Sequence, residues 1–96
     1  MGAIQYVGTG RLGTVQSASY TDTAGTITNG VGSQTYKVRV VCTSDAFIAI
    51  DNSPTATTSG TFMPAGEVEY FTITPGQKVS AVQSTEAGTL NVTEVS

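Results

Sequence analysis

Short apolar runs separated by turn-forming residues recur along the whole chain, and no stretch sustains the 3.6-residue apolar period of an amphipathic helix. The clearest period-2 segment is Thr35 to Thr43, where Tyr36, Val38, Val40 and Cys42 fall on one side and Lys37, Arg39, Val41 and Thr43 on the other. It predicts a strand half-buried on the first side. Ala46 to Ile50 is apolar throughout, which predicts a strand covered on both faces. Glu67 to Thr74, Gln77 to Gln83 and Thr89 to Val95 read as three more strands, the last with Leu90 and Val92 facing inward. Gly13 to Thr21 is a more polar strand candidate. Ala3 to Val7 forms a short apolar run, so residues 1–10 read as an N-terminal arm or edge strand.

The punctuation is equally informative. Pro75-Gly76 presets φ at the second position of a turn and supplies positive φ at the third, which predicts a tight turn and a hairpin between its flanking strands. Asp22 to Gly32 carries three glycines and reads as a loop, with a further hairpin drawn about Ala24-Gly25. The polar stretch from Thr55 ends on Phe62-Met63, followed by the turn Pro64-Ala65-Gly66. Seven or eight short strands at intervals of roughly 8 to 12 residues define one all-β domain over residues 1–96. A jelly-roll-like β-sandwich is the first architecture, with an immunoglobulin-like sandwich as the alternative.

Composition narrows what such a domain can do. Charged residues are 11% of the chain, whereas Thr (17) and Ser (9) together exceed a quarter of it, so the surface is built from hydroxyls rather than ions. Such a surface suits close protein contact. With four basic residues and a net charge of -3, the chain lacks the clustered cations that displace counterions from nucleic acid, and no direct nucleic-acid contact is expected. No run approaches the roughly 20 apolar residues of a membrane-spanning helix, and the start M-G-A-I-Q-Y has no signal-peptide pattern. Neither a membrane partner nor a secreted precursor is expected.

Candidate chemistry is sparse. The absence of histidine and of a second cysteine removes the common zinc, haem and iron–sulfur ligand sets and the Ser-His and Cys-His nucleophile pairs. Cys42 reads as a buried structural thiol. Glu67 and Glu69 share a side of one strand but have no visible partners to position a substrate, and Asp22, Asp45 and Asp51 lack the spacing of a calcium loop. The sequon Asn91-Val92-Thr93 lies within a strand and reads as chance, and Lys37 with Arg39 reads as a solvated strand face. No catalytic residue, metal or cofactor is therefore expected.

The run V-R-V-V-C-T-S-D-A-F-I-A-I, the corner Phe62-Met63-Pro64-Ala65, the turn Pro75-Gly76-Gln77-Lys78 and the closing Gly88-Thr89-Leu90-Asn91-Val92-Thr93-Glu94 resemble small virion proteins of tailed bacteriophages. The likeness covers residues 38 to 96. It implies a non-enzymatic capsid decoration or cement protein, made in the host bacterial cytoplasm and carried on the capsid exterior. The implied partners are the major capsid protein and copies of the chain itself, as a trimer on three-fold positions or a dimer on two-folds. Candidate contacts are Ile4, Tyr6 and Val7, as a strand added to a neighbour's sheet edge, and the pair Phe62 and Met63, for which packing inside the chain is the competing role. A head–tail connector, tail or fibre component and a carbohydrate- or receptor-binding module are the alternatives.

Overall fold

The computed structural model describes residues 12 to 95, so Ile4, Tyr6 and Val7 and the expected arm lie outside the described residues. Eight strands follow in order: β1 (Leu12–Tyr20), β2 (Gly25–Thr26), β3 (Lys37–Cys42), β4 (Ala46–Asp51), β5 (Thr61–Met63), β6 (Glu69–Thr72), β7 (Lys78–Gln83) and β8 (Gly88–Val95). They form two antiparallel sheets, A in the order β1-β8-β3-β6 and B in the order β2-β7-β4-β5.

The pairings are nested: β1 with β8, β2 with β7, β3 with β6 and β4 with β5. One long two-armed ribbon, β1 to β4 running out and β5 to β8 running back, is therefore rolled so that successive pairs alternate between sheets. This is the jelly roll, as the sequence pattern suggested; the immunoglobulin order is not formed.

Rolling corrects two expected hairpins. Pro75-Gly76 does form a tight turn, with the Gln77 N–H donating to the Thr74 carbonyl at 3.0 Å and Gly76 at φ 89°. Its flanking strands nonetheless belong to different sheets, because β6 is taken up by β3 (Val38 opposite Phe71) and β7 by β4 (Ile48 opposite Ala81). The turn bridges the sandwich. The segment about Ala24-Gly25 bridges it in the same way, from β1 in sheet A to β2 in sheet B. Among the described strands, only β4 and β5 are consecutive and paired within one sheet.

The core lies between the sheets, filled from A by Tyr20, Val38, Val40, Cys42, Leu90 and Val92 and from B by Ala46, Ile48, Met63, Val79 and Ala81. The alternation of β3 holds for Val38, Val40 and Cys42, all fully buried, but not for Tyr36, which is 63% exposed. Tyr36 precedes the strand, and its carbonyl accepts from the Ile73 N–H at 3.0 Å. Cover over β4 is likewise partial. Phe47 and Ala49 are half-buried, since on their outer side the 52–60 loop supplies the cover, with Pro54 and Ala56 buried, whereas Ile50 on the inner side packs half-buried against the core. Ser80 holds the loop down: its Oγ accepts from the Ala56 N–H and from the Thr26 hydroxyl, both at 3.0 Å.

Candidate interaction surfaces

Both ends of the sandwich are tied by side chains reaching across it. At the end where β1, β3 and β7 finish, the Tyr20 hydroxyl donates to the Ser44 carbonyl, and the Ser44 Oγ reaches the Glu86 and Ala87 carbonyls at 2.9 and 3.0 Å. The Ala65 N–H donates to Asp45 Oδ1 at 2.8 Å, and the Gly66 N–H to the Cys42 carbonyl at 2.9 Å. At the other end Glu94 accepts from the Thr35 hydroxyl at 2.6 Å and from the Gly32 N–H. Gln16 there exchanges two 3.0 Å bonds with the Asn29 backbone. These carboxylates and hydroxyls are structural ties.

Cys42 is buried, as its place in the Val-rich run predicted, and burial pushes its thiol pKa upward. Burial likewise raises the Tyr20 phenol, an effect that the Ser44 hydrogen bonds oppose. Asn91 sits mid-strand in β8 between β1 and β3, accepting from the Ser17 hydroxyl at 2.9 Å. Asp45 and Asp51 bind backbone N–H groups, of Ala65 and Asn52 respectively. Among the described residues no group of acidic or sulfur side chains is arranged to hold a metal, and no cavity opens.

The two predicted contact residues in the described chain part company. Phe62 and Met63 are successive residues of β5, so their side chains point to opposite faces. Met63 lies opposite Ala46 and is fully buried in the core, which removes it from the surface; packing inside the chain is its role. Phe62 lies opposite Phe47 on the outer side of sheet B and is 46% exposed, the two rings tilted with centroids 5.4 Å apart. Phe47 in turn lies opposite Val82, so an apolar row crosses β5, β4 and β7.

A second surface was not legible in the sequence. The outer side of sheet A carries the row Val15, Thr93, Arg39, Tyr70 across all four strands. Val15 is 62% exposed and Tyr70 is exposed as well, while Thr93 between Val15 and Arg39 is buried and Arg39 half-buried; Leu12 and Val68 near the two borders of the same sheet are also open to solvent. Nothing in the local sequence connects these positions, since the row brings together residues 15, 39, 70 and 93. Of the described tyrosines, Tyr20 is buried, while Tyr36 and Tyr70 are exposed.

No known protein family, curated protein or solved structure matches the chain.

Proposed function

We propose that the chain is a non-enzymatic structural protein of a tailed-bacteriophage virion, a decoration or cement protein that binds the assembled head shell from outside. The observation that carries this reading is that the segments resembling such proteins form one connected frame. Ala46 of the apolar strand lies opposite Met63 of the Phe62-Met63-Pro64-Ala65 corner, Asp45 holds Ala65, and the closing segment is the central strand β8 beside β3. Jelly rolls also recur among capsid proteins, an analogy of fold that supports the reading.

The mechanism is binding linkage. A protein with higher affinity for the assembled shell than for loose subunits stabilises the shell by that difference, multiplied over many copies. Contacts come from the exposed ring of Phe62, and from Ile4, Tyr6 and Val7 as a strand added to a neighbouring edge. The hydroxyl-rich, ion-poor surface keeps the desolvation cost of such contacts low.

Quantifying the chain against the major shell protein on purified particles, and imaging particles with and without it, tests the reading. Copies at the shell symmetry axes, with leaky or fragile particles on its loss, are the expected result. Confinement to a single vertex points instead to a connector or fibre role, and absence from particles overturns the virion assignment.

A further inference from the structure

One end of the sandwich is acidic. The four loops at one end (21–24, 43–45, 64–68 and 84–87) hold Asp22, Asp45, Glu67 and Glu86, four of the seven carboxylates, and no Lys or Arg. The cations of the described chain lie in the strands, with Lys37 and Lys78 opening β3 and β7 at the opposite end, where Asp51, opposite Lys78, and Glu94 balance them. Arg39 stands in the middle of the outer side of sheet A, half-buried and without an ion-pair partner among the described residues. It is flanked in register by Tyr70 and, beyond Thr93, by Val15.

We propose that this outer side of sheet A, centred on Arg39, is the docking surface for the acidic loop end of a second copy of the chain. The two surfaces are complementary in charge. They also match in polarity: Val68, 43% exposed where the acidic end meets the border of sheet A, gives that end an apolar contact for Val15 and Tyr70 of the other copy. Because the two patches differ, the contact is heterologous, and it closes into a ring when the rotation between copies permits. Opposite charges at the edge of such a contact set its salt dependence and orientation, while the apolar side chains supply area.

The inference deepens the oligomeric part of the function proposed above, and the two fail separately: self-association is read on the isolated chain, placement on the shell is read on particles. Sedimentation velocity of the full chain across a salt series is the test. Association that weakens with salt, falls about tenfold or more in Arg39→Glu and in Glu67→Lys, and recovers when both are combined in one chain is the expected result. Arg39→Gln keeps most of the aliphatic stem and gives the same reading if the reversal does not fold. A monomer at every salt concentration overturns the inference, as does association untouched by Arg39→Glu or a double variant no better than the singles. Loss of Arg39→Glu from particles with self-association intact assigns the face to the shell instead.

Discussion

The Tyr20 hydroxyl donates to the Ser44 carbonyl at 2.7 Å, and the Ser44 N–H donates back to the Tyr20 oxygen at 3.2 Å. The last residue of β1 is thereby tied to the turn that carries the chain from sheet A to sheet B. Both residues are buried. Neither bond has water to replace it, so the pair closes this end of the sandwich.

Tyr20→Phe removes the hydroxyl and leaves the Ser44 N–H and carbonyl short of partners. A loss of about 1–3 kcal/mol in unfolding free energy is expected, read by urea denaturation. The pair also sets an alkaline limit. The Tyr20 phenol and the Cys42 thiol are raised in the folded state, chiefly by burial, so the fold retains their protons after the unfolded chain has released them. Their contribution is complete below the unfolded values and is lost as pH rises through the folded ones. Stability should therefore decline above about pH 9, and Tyr20→Phe combined with Cys42→Ala should flatten that decline.

Gly88 and Gly76 should respond differently to alanine. A Cβ on Gly88 falls closer than 3.0 Å to the Ser44 Oγ, the Tyr20 hydroxyl and the Thr43 Oγ1, so Gly88→Ala displaces the buried tie and should cost about 1–3 kcal/mol. Gly76 has open space around it but φ of 89°, so Gly76→Ala pays backbone strain of about 1–2 kcal/mol. Thermal melts give both losses. Adding Tyr20→Phe separates the causes: it should partly relieve Gly88→Ala and leave the cost of Gly76→Ala unchanged.

Phe62 and Met63 provide a test of surface against core. Met63→Ala opens a cavity beside Ala46 and should cost about 2–5 kcal/mol. Phe62→Ala gives up a tilted ring contact with Phe47, on the order of 1 kcal/mol, and under the proposed shell role should instead reduce retention on particles. Denaturation midpoints and copy number per particle, measured on the same two variants, distinguish the roles.

Strand by strand, the local pattern carried most of the secondary structure. Val38, Val40 and Cys42 alternate inward as their spacing requires, and Gly76 adopts the positive φ that its place in the turn favours. The candidate surface was half legible. A large apolar pair at a loop end marked residues 62 and 63, but neither residue type tells which of two neighbours faces out, because period-2 alternation is silent about its own phase. The Ala46–Met63 register settles that phase.

The sequence by itself determined the class of this protein: an all-β sandwich of short strands, poor in ions, with no histidine and a lone cysteine suited to burial. Those properties are local, following from side-chain chemistry and from the φ/ψ preferences of a few residues at a time. Only the tertiary structure decided that the Pro75-Gly76 turn bridges two sheets instead of closing a hairpin, and that Val15, Arg39, Tyr70 and Thr93 stand in one row. A turn restrains the backbone of its own four residues, whereas a strand's neighbour is chosen by which distant strand best covers its apolar face and satisfies its N–H and C=O groups.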